Sequence, residues 1–225
     1  MSTEHTLRNQ RRDFPDWHLG RPNYALWALL VDTEAVCQRV QAAQTHLADR
    51  LLDGYCRQAH VTVALCGFPS ATPQHADDFG AQALGQQLAA LRRAGNSSFE
   101  IGIGGLASFN SVPYLSVQDD AGRLAHLRAS LAGSGLHPAA DHYIPHVTVG
   151  LYADAWPMAA VQAQLDNFAH SGRLRLTMSR LCLLSYVAKN IGGPLQTLAE
   201  YDFQNGALHW YEARDGLPQC FREID

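Results

Sequence analysis

The stretch His60-Val61-Thr62-Val63 occurs a second time, 86 residues on, as His146-Val147-Thr148-Val149. In an extended strand successive side chains point to opposite faces. His60 and Thr62 therefore share one face, and Val61 and Val63 take the other. The second copy repeats this with His146 and Thr148. Each strand thus offers an apolar face to a core and a polar face bearing an imidazole beside a hydroxyl. Two such strands brought to one cleft supply two histidines and two threonines, a set of groups suited to handling a phosphate.

The chain around the two copies repeats an order of elements. Tyr24 to Val31 is an apolar run long enough for one buried strand. Asp32-Thr33 suits the start of a helix, and Val36, Val40, Ala43, Leu47 and Leu51 follow at helical spacing, with Gly54 as the stop signal. His60 to Cys66 is the first His-Thr strand, and Gly67 to Pro73 reads as a loop. Asp77-Asp78 reads as a helix N-terminus, leading into Leu84, Leu88 and Leu91 and ending at Gly95-Asn96. Phe99, Ile101 and Ile103 alternate with Glu100, Gly102 and Gly104 as in a strand. Pro113 to Val117 then predicts a strand, Leu124, Leu127 and Leu131 a helix, and His146 to Tyr152 the second His-Thr strand. Val161, Leu165 and Phe168 predict another helix, and Leu174 to Tyr186 one long strand. Each half reads strand, helix, His-Thr strand, helix, strand. Such a duplication predicts two pseudo-symmetric lobes around a central cleft.

Residues 1–22 read as an arm, 23–203 as one bilobed domain with interleaved lobes, and 204–225 as a tail. The tail includes a hairpin of Leu195–Phe203 and Ala207–Ala213 turned at Asn205-Gly206. The hairpin and the strand-rich second half favour mostly antiparallel sheets with outer helices, an α+β fold.

Composition bounds the function. The 225 residues are 47% hydrophobic, enough for a sizeable core, and carry a net charge of −4. Without a polybasic run, a broad grip on extended duplex nucleic acid is not expected, whereas a small nucleotide or an RNA end is compatible. Lys189 is the one lysine, so the basic residues are nearly all arginine, the better fork for phosphate. Five cysteines in no C-x-x-C pattern fit a reducing cytoplasm. No apolar run suggests a leader or a membrane span. No H-x-H, H-E-x-x-H or phosphate-cradling glycine loop occurs, so neither metal nor cofactor is expected; His137 and His142 precede the second motif without a supporting carboxylate or cysteine. A cytoplasmic monomer with a small partner is the expectation.

Phosphodiester hydrolysis needs one group to take a proton from water and another to give one to the departing alkoxide. A histidine, with an ordinary pKa of about 6.5, does either near neutrality. Two on opposite sides of a phosphorus atom meet both needs, and two threonine hydroxyls can donate to the non-bridging oxygens.

The pair His60-x-Thr62 and His146-x-Thr148 resembles the signature of the two-histidine phosphoesterase superfamily, which includes RNA 2′,5′-ligase-like proteins and cyclic nucleotide phosphodiesterases. Tyr24-Ala25-Leu26-Trp27 is similar to the family's first strand, Pro145 stands where its second motif has a proline, and Gly102-Ile103-Gly104-Gly105 also fits. The resemblance spans about Arg21 to Phe203. It implies a bilobed fold with one motif from each lobe in a central cleft. It also implies metal-independent chemistry on 2′,3′-cyclic phosphates or 2′,5′-linked phosphodiesters, with His60 and His146 catalytic and Thr62 and Thr148 on the phosphate. Family members place an aromatic ring near the base; Tyr24, Trp27, Phe109 and Tyr186 are the candidates here, with Arg21 for the phosphate and Tyr143 at the cleft mouth. Alternatives are a 2′,5′-ligase or 2′,5′-phosphodiesterase, which the net charge of −4 disfavours, and a nucleotide- or RNA-end-binding module without turnover.

Overall fold

The structure, a computed structural model, describes residues 4–132, 143–170, 172–211 and 217–224. In chain order the elements are α1 (Pro15–His18), β1 (Asn23–Leu30), α2 (Glu34–His46), β2 (His60–Pro69), β3 (Asp78–Phe79), α3 (Ala81–Ala94), β4 (Phe99–Ser108), β5 (Pro113–Gln118), α4 (Arg123–Leu131), β6 (His146–Thr148), α5 (Met158–Asp166), β7 (Leu174–Met178), β8 (Arg180–Val187), β9 (Gln196–Asp202) and β10 (Leu208–Trp210), with a short 3-10 turn at Gln219–Glu223.

The strands form one sheet in the order β10-β9-β8-β1-β2-β6-β5-β4-β7, with β3 added on β2. Every pairing on that path is antiparallel; β3 joins β2 in parallel. The expected α+β class with mostly antiparallel strands and outer helices is the fold observed. The two halves of the chain meet where β2 pairs with β6 through Val61 and Val147. Each half gives its last strand to the other: β4 pairs with β5, whereas β8 pairs with β1. The duplicated motif strands are thus side-by-side neighbours in one sheet.

The main core lies on the helix side. Trp27, Leu29, Val61, Val63, Ile101, Ile103, Leu115, Val117, Val147 and Val149 pack there with helix residues such as Val36, Leu84, Leu88, Leu91, Leu124 and Leu127. β1 is covered on both faces, because Leu26 and Ala28 bury against Cys182, Leu184 and Leu195 on the other side. That double burial is why its sequence is continuously apolar. Trp27, fully buried, donates its indole N–H to Gln87 Oε1 of α3 at 2.7 Å. α2 is tied to β4 and to the segment before β7: Arg39 donates to the carbonyls of Ile103 at 3.0 Å and Gly172 at 3.0 Å.

Several elements differ from the sequence expectation. α2 ends at His46, and Leu51 instead forms an isolated bridge with Tyr152. β2 runs on to Pro69, through what reads as a loop. Asp77 and Asp78 start no helix; Gly80 precedes α3, and the two carboxylates bind Arg21. The long strand expected from Leu174 breaks at Ser179, because β7 pairs with β4 and β8 with β1. The parity of the apolar residues switches there, from Leu174, Leu176 and Met178 to Leu181 and Leu183, so one unbroken strand cannot bury both sets.

The hairpin at Asn205-Gly206 forms, with Gly206 at φ 68°, and its second strand is Leu208–Trp210. Residues 212–213 of the expected strand lie outside the described residues. The N-terminal arm is strapped to the domain. Thr6 N–H donates to Trp156 O at 2.8 Å, Leu7 N–H to Asn110 O at 2.7 Å and Asn9 N–H to Tyr152 O at 2.9 Å. Arg11 reaches Asp53 O at 3.1 Å. Among the described residues no helix is long and apolar enough to cross a membrane.

Replacing Arg39 by Met removes a charged donor from buried carbonyls. We expect a loss of about 1.5–3 kcal/mol in urea unfolding; an unchanged midpoint would show that α2 is not anchored through this residue.

Candidate active site

The antiparallel register centred on Val61 and Val147 sets His60 across from Thr148 and Thr62 across from His146. All four side chains lie on the face opposite the helices. Cross-strand neighbours stand about 4.5–5.5 Å apart at Cβ and diagonal ones about 7–8 Å. The two imidazoles occupy one diagonal of a square and the two hydroxyls the other. β6 is only three residues long, shorter than the run His146 to Tyr152 suggests. It is still long enough to carry its His and Thr.

Both rings are held the same way. His60 Nδ1 lies 2.7 Å from Gln58 O, and His146 Nδ1 lies 2.8 Å from Ile144 O, in each case the carbonyl two residues earlier. A carbonyl only accepts, so each Nδ1 carries the proton and each Nε2 is left for the cleft. Gln58 is itself fixed, donating to Leu195 O at 2.9 Å and accepting from Leu195 N–H at 2.8 Å.

Burial pushes the His60 pKa down to about 4; the Gln58 carbonyl opposes this, and the nearby Arg57 and His146 add to it. His146 is lowered too, chiefly by burial, against the opposing Ile144 carbonyl. Both rings are therefore neutral at pH 7 in the free protein, with an Nε2 lone pair available to accept a proton.

The loop before β2 contributes two residues that carry no motif of their own. The Tyr55 hydroxyl hydrogen-bonds Thr148, and burial pushes its pKa up to about 12, so it stays protonated. Arg57 lays its guanidinium 4.1 Å above the Tyr186 ring, and its Nε is buried without a partner among the described residues. The one sequence signal for Arg57 is a basic residue three positions before a motif histidine. Arg21, the sequence candidate for the phosphate, is committed elsewhere: it donates to Asp77 at 2.6 Å and Asp78 at 2.7 Å and stacks 3.7 Å from the Phe68 ring centre.

The aromatic candidates divide. Phe109 stands beside His146, with ring centres 5.0 Å apart, and stacks on Tyr114 at 4.3 Å. Tyr186 and Tyr24, 5.6 Å apart, lie on the tetrad face of the β1–β8 half, with Trp17 a further 5.5 Å from Tyr24. Trp27 points to the helix side, so it is a core residue and no platform for a base. Tyr143 donates its hydroxyl to Thr62 O at 2.8 Å and lies under Arg128, 4.6 Å away. It braces β2 against the core instead of lining a mouth. Among the described residues no group of three His, Cys, Asp or Glu side chains could hold a metal ion. His137 and His142 lie outside the described residues.

A family model described as the 2′-5′ RNA ligase superfamily matches residues 33–190. Of the solved structures, TT0787 of Thermus thermophilus is 13% identical with a TM-score of 0.50, covering 80% of this chain and 97% of that one. LigT of E. coli in its apo form is 13% identical with a TM-score of 0.49, covering 81% and 98%. LigT complexed with 3′-AMP is 15% identical with a TM-score of 0.45, covering 80% and 98%. At such identities the likeness to TT0787 speaks for the fold alone. No curated protein matches the chain by sequence.

The depressed His60 makes stability depend on pH. Its folded pKa lies below the unfolded value, so its contribution is present above about pH 6.5 and is lost as pH falls toward 4. We expect His60→Gln to flatten the stability curve over that window, removing up to about 3 kcal/mol of pH dependence. Urea unfolding at pH 7 and pH 4.5 checks this; equal slopes in both proteins would place His60 in water.

Proposed function

This chain belongs to the 2′-5′ RNA ligase superfamily, and we propose that it works there as a metal-independent phosphodiesterase that opens 2′,3′-cyclic, or related ribose-cyclic, phosphates of nucleotides or RNA ends. The observation that carries the reading is the diagonal pair of histidines, each with Nδ1 spent on a carbonyl and Nε2 free, crossed by a diagonal pair of hydroxyls.

With the phosphorus atom over the centre of the square, one Nε2 accepts a proton from water as the water oxygen bonds to phosphorus. The other, protonated, gives its proton to the ribose oxygen as the P–O bond breaks. Thr62 and Thr148 donate to the non-bridging oxygens, where charge builds up. Tyr55 keeps its proton and, hydrogen-bonded to Thr148, holds that side chain in place beside the phosphate. Arg57 adds the positive charge of the site. The arrangement is nearly two-fold, so the orientation of the substrate decides which histidine is acid and which is base. The activity is proposed for a cytoplasmic monomer, without cofactor.

A second reading, action on 2′,5′ linkages, is favoured by one feature. Rings stand on both sides of the tetrad, Tyr186 and Tyr24 on one and Phe109 and Tyr114 on the other. A linkage between two nucleosides has a base for each side, and a cyclic mononucleotide has only one. A module that binds without turnover would use the same groups as phosphate ligands only.

Hydrolysis of 2′,3′-cyclic AMP, CMP, GMP and UMP in EDTA, with products resolved as 2′- or 3′-phosphates, tests the proposal. Each of His60→Ala and His146→Ala is expected to lower kcat by about 10²–10⁴-fold. Thr62→Val and Thr148→Val should each cost about 2.7–4 kcal/mol of transition-state binding. Activity unaffected by either histidine change would sink the two-histidine mechanism.

The pH profile of kcat/KM reports the free enzyme. Both histidines are lowered, so the optimum should lie on the acid side of 6.5. Arg57→Gln removes one cause of the His60 shift and should move one limb upward while raising KM. A profile that keeps both limbs in Arg57→Gln would place that guanidinium away from the reacting groups.

A further inference from the structure

The tetrad face continues past His146 across β5, β4 and β7. His146 pairs with Ser116, and two residues along β5 Gln118 pairs with Gly102, which pairs in turn with Arg175. Leu174 and Leu176 pack toward the core, so Arg173 and Arg175 point to the tetrad side. A cavity of about 470 Å³ opens there, lined by Glu100, Gly102, Asp120, Arg123, Arg173 and Arg175. Gly102, without a Cβ, leaves the Arg173 side chain room to lie across the cavity floor. The carboxylates do not occupy the arginines fully. Arg173 lies 3.7 Å from Asp120, and Arg175 lies 3.8 Å from Glu100, both exposed and both long for an ion pair. Arg123 donates to Ser97 at 2.6 Å and keeps its other donors.

We infer that this cavity holds a backbone phosphate of an RNA strand whose 3′ end lies over the tetrad, gripped by Arg123, Arg173 and Arg175. The inference rests on the phosphodiesterase reading above and narrows its substrate class to an oligonucleotide end. Three strand spacings and two residues along the strand separate His146 from Arg175, ~16 Å between backbones. A mononucleotide does not bridge that span and a short oligonucleotide does. Guanidinium groups suit the second site because their planar forks match phosphate oxygens. The net charge of −4 is no obstacle, since a local fork for one phosphate needs no basic surface around it.

The test is a length series. Oligoribonucleotides of one to five residues, each ending in a 2′,3′-cyclic phosphate, are hydrolysed in EDTA at fixed ionic strength by the wild type and by the double variant Arg173→Gln/Arg175→Gln. For the wild type, kcat/KM should rise roughly tenfold at the length that reaches the cavity, an electrostatic gain that falls with salt. In the double variant the ratio of long to mononucleotide substrate should collapse toward one. The salt slope for the long substrate should become shallower by up to about 0.7, the share of one phosphate on a single strand. A wild-type rate independent of length, or a length gain that survives the double variant, overturns the inference. If the wild type turns over no substrate at all, the hydrolytic reading fails by itself. Fluorescence anisotropy of a 5′-labelled pentaribonucleotide 3′-phosphate then decides the cavity. Weaker binding with a shallower salt slope in the double variant upholds it, and equal binding by both proteins overturns it.

Discussion

One residue pair, Val61 against Val147, joins the two halves of the sheet and fixes the geometry of the tetrad. Both valines are fully buried on the helix side, so the register is set by packing and not by the catalytic groups. In a strand the side-chain period is two, and a slip of either strand by one residue would turn its own histidine and threonine into the core. The polar square is thus a by-product of an apolar contact on the other face.

The surroundings then divide the labour. Carbonyls two residues upstream choose the tautomer, burial lowers both imidazole pKa values, and the loop before β2 brings a cation and a phenol to the same spot. A neutral imidazole is cheap to bury, which is why the fold tolerates His60 at 7% exposure on this face. Under the proposed function, a phosphate over the tetrad would supply the negative charge that restores basicity to one ring, so that the proton to be donated is taken up with the substrate.

Much of this was legible in the sequence, and for identifiable reasons. The repeated His-x-Thr tetrapeptide identified the tetrad, because period-two alternation determines what shares a face. The apolar run at Tyr24 to Val31 and the regularly spaced leucines of α3 and α4 located the elements around it. The break at Ser179 was written in the parity switch between Met178 and Leu181, but composition alone could not show that the two pieces join opposite ends of the sheet. Arg57 and Tyr55 escaped because loop residues carry no periodicity. Arg21 misled for the opposite reason: its place before the first strand suited a phosphate ligand, and only tertiary structure brings Asp77 and Asp78 to it. Trp27 and Tyr143 illustrate the general bias of aromatics toward cores.

The strap formed by the N-terminal arm lies outside the matched stretch of residues 33–190, and it touches three loops that surround the site. Through Asp53 it meets the loop of Tyr55 and Arg57, through Asn110 the turn of Phe109, and through Tyr152 and Trp156 the segment after β6. Its partners at Tyr152 to Met158 are made about 150 residues after it. At ribosomal speeds of about 5–20 residues per second, the arm waits roughly 8–30 s for them. The rim of the cleft therefore closes only after the segment following β6 has been made.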